Sequence, residues 1–158
     1  MRPAFAPLVA LLLATSPAGA QSLGISLGRH TPGVAEGAVS LGLDYRSLPR
    51  ALHGDLTGTW VIAARLNDRG DGWLGIGYGL QHPLSGPWHV EASFAAGLYR
   101  RGTTDLGHPL EFRTQIGVGY ALNPRTQVVV SVEHLSNGGL GAINPGTDLI
   151  SLGVRRVF

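Results

Sequence analysis

From Gln21 onward the chain alternates. In WHVEASFAAGLY, residues Trp88, Val90, Ala92, Phe94, Ala96 and Leu98 fall on one side of an extended backbone, and His89, Glu91, Ser93, Ala95, Gly97 and Tyr99 on the other. Successive side chains of a strand point to opposite faces, so a period of two predicts a β-strand. LEFRTQIGVGYAL repeats the pattern, with Phe112, Ile116, Val118, Tyr120 and Leu122 opposing Glu111, Arg113, Gln115, Gly117 and Gly119. The turn signals TPG, LPR, NDRGDG, HPLSGP, RGTTDLGHP, NPR and SNGGLGAINPG separate such stretches. They predict eight strands, near Leu23–Arg29, Ala38–Arg46, Leu56–Leu66, Trp73–Gln81, Trp88–Tyr99, Leu110–Leu122, Thr126–Leu135 and Asp148–Phe158. Helical periodicity is nearly absent.

The two faces differ in kind. One carries Glu91, Glu111, Arg113 and Glu133 among many glycines; the other is apolar. A soluble sandwich also alternates, but it turns its apolar face inward. Small and charged residues together suit the narrow lumen of a small barrel whose apolar side meets lipid. Trp60, Trp73, Trp88 and Tyr120, near strand ends, predict an interfacial aromatic girdle. The expected fold is therefore all-β: an eight-stranded antiparallel transmembrane β-barrel of the outer-membrane type, formed as one domain by residues 21–158.

The N-terminus agrees with export. MRPAFAPLVALLLATSPAGAQS has one early arginine, a short apolar run from Ala4 to Ala14, and the small residues Ala18-Gly19-Ala20. This predicts a signal peptide over residues 1–20, cut after Ala20. The apolar run is too short for a spanning helix, and Pro7 interrupts it. With no cysteine in the chain, neither a disulfide framework, a Cys metal site nor a lipoprotein anchor is expected. All 12 basic residues are arginine, in a chain of net charge +2, which suits contact with phosphate or anionic lipid. Nothing points to a nucleic-acid partner. Phe158, preceded on one face by Val154, Leu152 and Ile150, resembles the terminal assembly signal of bacterial outer-membrane proteins. The expected location is the outer membrane of a Gram-negative cell.

The candidate chemistry lies in VEHLSNGGLGAINPGTDLISL. His134 and Ser136 continue the apolar parity of Val128, Val130 and Val132, and Asp148 shares parity with Ile150 and Leu152. All three polar residues therefore face lipid at the same end of one hairpin, His134 and Ser136 about 7 Å apart along their strand. A polar group facing lipid is costly unless paired or functional. One reading is an Asp-His-Ser chain, in which the acid orients the imidazole and the imidazole takes the serine proton. The other is that these residues mark where the strands leave the membrane and meet water. Asn137 and Asn144 are open in the same way, as site residues or as turn formers.

HLSNGGLGAINPGTDLISL resembles the signature region of the PagL-type lipid A 3-O-deacylases. WHVEASFAAGLYRRGTTDLGHPLEFRTQIGVGYAL is similar to the same family in its spacing of Gly, Glu-Phe and Gly-Val-Gly-Tyr. The resemblance implies an eight-stranded barrel with its active site on the lipid-facing surface. It implies Ser136 as nucleophile, His134 as general base and Asp148 as orienting acid, where many members carry glutamate. It also implies Asn137 and Asn144 as supports of the loop or oxyanion site, beside the backbone N–H groups of Gly138 and Gly139. Arg100 and Arg101 are candidates for contact with lipid A phosphates, or ordinary rim arginines. No metal or cofactor is expected. The implied partner is lipid A, or lipopolysaccharide, in the outer leaflet; monomer and homodimer both stay open. Two other classes also stay open: a non-catalytic structural or binding barrel, and an outer-membrane phospholipid esterase.

Overall fold

A computed structural model describes residues 21–158; the expected signal peptide, 1–20, lies outside the described residues. Nine strands form: β1 (Ser22–His30), β2 (Val39–Arg46), β3 (Arg50–His53), β4 (Leu56–Asn67), β5 (Gly72–Pro83), β6 (Trp88–Arg100), β7 (Leu110–Asn123), β8 (Thr126–Ser136) and β9 (Thr147–Val157). The pairing order is β2-β1-β9-β8-β7-β6-β5-β4, and β2 also pairs with β4, so eight antiparallel strands close on themselves. Closure leaves the eight strands of the circle without an edge, as a strand array in hydrocarbon requires. β3 stands outside the circle and pairs only with β4. It is an addition to the eight expected strands, a short hairpin with β4 that turns at Gly54-Asp55.

The walls follow the predicted parity. Leu98 is 70% exposed and Ile116 66%, while their strand neighbours Gly97 and Gly117 are buried or nearly so. Leu27, Leu41, Ile62, Leu74, Ile76, Phe94, Val130, Val132, Ile150 and Leu152 are exposed in the same way, so the apolar surface is continuous around the barrel. An unbroken apolar surface of this size is unsustainable in water and suits the bilayer core.

Inside, charge meets charge. Glu133 accepts hydrogen bonds from Arg65 Nη2 at 2.8 Å and Arg113 Nε at 2.6 Å. Glu91 accepts from Arg46 at 2.9 Å and from Arg155 at 2.6 Å. Asp44 pairs with Arg65 at 2.9 Å and Arg113 at 3.3 Å. These carboxylates and guanidiniums, with Trp73, Val61 and Ala95, fill the lumen. Two small voids remain among them, about 20 Å³ beside Glu133 and about 30 Å³ beneath Leu106, each large enough for water.

Trp73 corrects the expected girdle. It shares parity with Gly75, Gly77 and Gly79, is buried, and donates its indole N–H to the Glu111 carbonyl at 3.1 Å. Its ring packs over Gly75 and Gly97, where a methyl group would collide. Trp60, Trp88 and Tyr120 do face outward, Trp88 and Tyr120 meeting edge to face with centroids 4.8 Å apart. One rim of the barrel carries the connections 31–38, 68–71, 101–109 and 137–146 and is called the loop rim below.

Candidate active site

β8 carries four β-branched valines, Val128, Val129, Val130 and Val132, and ends in Glu133-His134-Leu135-Ser136 at the loop rim. Its alternation sends Glu133 into the lumen and His134 outward. β9 enters from the loop with Asp148 outward and Leu149 buried. His134 and Asp148 are direct cross-strand partners. Their side chains meet, His134 Nδ1 lying 2.7 Å from Asp148 Oδ1, with each side chain 51% exposed. The pair is thus held by register alone, on a face the protein leaves uncovered. Among the described residues His134 Nε2 has no hydrogen-bond partner and is the nitrogen left for a reacting group.

Ser136 lies two residues further on the same outward face, opposite Phe112 of β7. Among the described residues no hydrogen bond joins it to His134. Hydrogen bonds of this kind are often long in an enzyme without its substrate and tighten when it binds. Phe112 stacks on Phe94 at 5.8 Å between centroids, so an aromatic shelf borders Ser136.

The loop after Ser136 is organised by Asn137, which is fully buried. Its Nδ2 donates to the carbonyls of Leu106 at 2.7 Å and Ile143 at 2.8 Å, and its Oδ1 accepts from Gly139 N–H at 2.9 Å. Its own N–H donates to Asn144 Oδ1 at 3.0 Å. Both asparagines are therefore engaged in shaping the loop, and the N–H groups of Asn137 and Gly139 are spent there. Of the backbone N–H groups of Asn137, Gly138 and Gly139, that of Gly138 is the one left without a partner among the described residues. Gly138 has φ of 64°, a conformation that glycine adopts freely. A Cβ there would press on Phe112 at 3.2 Å.

Arg100 and Arg101 sit elsewhere. Arg100 ends β6, two strands from β8, and Arg101 forms an exposed ion pair with Asp105 at 2.6 Å. Neither is joined to His134 or Ser136.

Sequence reasoning missed Gly146. Its φ is 62°, and a Cβ there would lie 3.0 Å from His134 Cε1 and 3.5 Å from Nε2. The glycine therefore leaves room for the imidazole edge that faces away from Asp148. The turn Asn-Pro-Gly was visible in the sequence; the closeness of its glycine to a ring twelve residues back was not.

An outward-facing acid–imidazole pair, a serine beside it and a free backbone N–H next to that serine are the parts of an acyl-transfer site. Comparison with known proteins points the same way. The model of the family described as lipid A 3-O-deacylase (PagL) matches residues 35–156. A lipid A deacylase PagL of Bordetella bronchiseptica is 28% identical over 68 residues, which span 41% of this chain and 38% of that relative. Among solved structures, the outer-membrane enzyme PagL superposes with a TM-score of 0.70 at 21% identity, covering 85% of this chain and 98% of that one. A de novo designed transmembrane β-barrel superposes with a TM-score of 0.62 at 12% identity, covering 90% and 98%. The two structural matches establish the fold, and the match over residues 35–156 establishes descent: the chain belongs to the PagL family.

Proposed function

We propose that the protein is a lipid A 3-O-deacylase of the outer membrane, exported by a signal peptide over residues 1–20 and removing the ester-linked 3-hydroxyacyl chain at the 3 position. The observation that carries this reading is the His134–Asp148 pair facing out of the barrel two residues from Ser136. A soluble hydrolase lines a pocket with such groups. Here they open onto the face that contacts lipid, where the ester of a membrane-embedded substrate would be.

In this reading Ser136 Oγ attacks the ester carbonyl while its proton passes to His134 Nε2. Asp148 holds the ring through Nδ1–H and stabilises the imidazolium. Gly138 N–H, with the Asn144 amide nitrogen, would stabilise the oxyanion. The carbonyl–oxygen bond to the sugar breaks, and His134 returns the proton to that leaving oxygen. Water then adds to the acyl-serine with His134 as base, releasing the 3-hydroxy acid and restoring Ser136. No metal or cofactor enters these steps.

Family membership supports the substrate class. The test is mass spectrometry of lipid A from a Gram-negative host expressing the chain. The expected product is lighter by one 3-hydroxyacyl group, and neither Ser136→Ala nor His134→Ala should yield it while both still reach the outer membrane. Deacylation retained by either variant would overturn the assigned roles. Unaltered lipid A with deacylated phospholipid would favour a phospholipid esterase, and no change in either lipid a structural barrel.

A further inference from the structure

The connections at the loop rim are tied to one another in a ring. Asp68 Oδ1 accepts from Val39 N–H at 3.1 Å, joining 68–71 to the start of β2. Asp71 joins the same turn to 101–109, Leu106 joins 101–109 to Asn137, and Thr31 N–H closes the circle on the Asp148 carbonyl at 3.0 Å. The catalytic loop 137–146 thus takes its place partly from segment 101–109. What places that segment is Asp71.

Asp71 is 5% exposed, and its carboxylate is fully engaged. Oδ1 accepts from Gly102 N–H at 2.6 Å and Thr104 N–H at 3.0 Å, while Oδ2 accepts from Asn67 Nδ2 at 2.9 Å. Charge-assisted bonds of this kind are roughly twice as strong as neutral ones. The backbones around them touch: a Cβ on Gly102 would collide with the Arg69 carbonyl oxygen. At its far end the segment touches the catalytic loop just as closely. A Cβ on Gly107 would collide with the Ile143 carbonyl, and one on Gly141 would sit 2.5 Å from the Gly107 oxygen. Segment 101–109 is therefore a wedge without slack, held by a carboxylate at one end and pressed on Asn137 and Ile143 at the other. The hydrogen bond from Tyr99 Oη to the Thr104 carbonyl, at 2.9 Å, restrains its middle.

We propose that Asp71 is a positioning residue for the catalytic loop, setting the place of Asn137, and hence of Gly138 N–H, through segment 101–109. The catalytic part of the proposal rests on the deacylase reading above. The structural part stands without it.

The test uses the full folded chain in detergent with Asp71→Ala and Asp71→Asn, because an asparagine oxygen can still accept from Gly102 and Thr104. Two readouts are taken: amide hydrogen exchange at residues 137–140, and kcat and KM on lipid A. Asp71→Ala should raise exchange at 137–140 about tenfold, the order of effect expected when buried donors lose their partner. Exchange in the central strands should stay unchanged. Its kcat should fall at least about tenfold, with KM within about twofold. Asp71→Asn, which keeps the oxygen facing Gly102 and Thr104 but loses the charge and the bond from Asn67, should restore both readouts in part. Wild-type exchange at 137–140 in Asp71→Ala would overturn the proposal. So would loosening that spreads through the strands and is not rescued by asparagine. If exchange behaves as expected but the wild-type chain leaves lipid A intact, the coupling stands and the deacylase reading falls.

Discussion

His134 and Asp148 are directly opposed residues of β8 and β9, and their side chains meet at 2.7 Å on the lipid-facing side of the barrel. Such a pair needs no loop to hold it; strand register does so. Asp148→Asn should keep the shape and lose the charge, and an amide can also stabilise the wrong imidazole tautomer. The expected loss in kcat is up to ~10⁴, the cost of this change in a well-studied serine hydrolase triad. Asp148→Glu should keep substantial activity, since the carboxylate and its parity remain. Lipid A deacylation at the wild-type rate by Asp148→Asn would show that the carboxylate is not part of the machinery.

Gly146→Ala tests the other edge of the same ring. The substitution adds a methyl group at a φ of 62°, 3.0 Å from His134 Cε1. Left-handed backbone costs a non-glycine residue roughly 1 kcal/mol, too little to unfold a barrel. A displaced imidazole matters more, because a misplacement of ~1 Å can cost up to ~10² in rate. The variant should fold, as judged by its shift on heating before electrophoresis, and deacylate at least about tenfold more slowly. Wild-type turnover would mean that the ring has more freedom than this contact allows.

Glu133 and His134 are neighbours in sequence with opposite tasks. Glu133 points into the lumen, where Arg65 and Arg113 both depend on it. Removing one partner of a buried ion cluster costs about 3–5 kcal/mol, and here Arg65 and Arg113 would be left to share Asp44 with one positive charge uncompensated. Glu133→Ala should therefore lower the urea midpoint of unfolding markedly, while folded molecules deacylate at nearly the wild-type rate. An unchanged midpoint would show that the lumen rearranges to solvate both guanidiniums.

Acid should release the Asp71 tie late. Burial by itself would raise the Asp71 pKa, but the hydrogen bonds from Thr104, Asn67 and Gly102 outweigh it and hold the value below that of an ordinary aspartate. A depressed folded-state value means stabilisation that is present above the unfolded-state pKa and lost as pH falls through the folded one. The stability difference between wild type and Asp71→Ala should hence be constant from neutral pH into mild acid and shrink only in strong acid. A difference already shrinking near neutrality would contradict these hydrogen bonds.

Parity made most of this fold legible. The strand Trp88–Tyr99, read from alternation alone, appears as β6 one residue longer, and the outward direction of His134 and Asp148 follows from the same count. β3 escaped because all four of its residues are exposed, so no alternation marks it. Trp73 was misplaced because its position near a strand end outweighed its parity with Gly75 and Gly77, which sends it inward. The supports of the site were hidden for another reason. Asp71, Leu106 and Asn137 are far apart in the chain, and only the side-by-side pairing of successive hairpins from β4 to β9 brings their loops together.

The packed lumen has a consequence for traffic. With Arg113 and Glu111 buried and Trp73 beneath the loop rim, the described residues leave no open bore along the barrel axis. On the deacylase reading, a lipid substrate would reach His134 and Ser136 sideways, within the leaflet, and leave by the same lateral route. A compound meant to block them would then have to follow it into the bilayer, and its partitioning into lipid would count beside its fit.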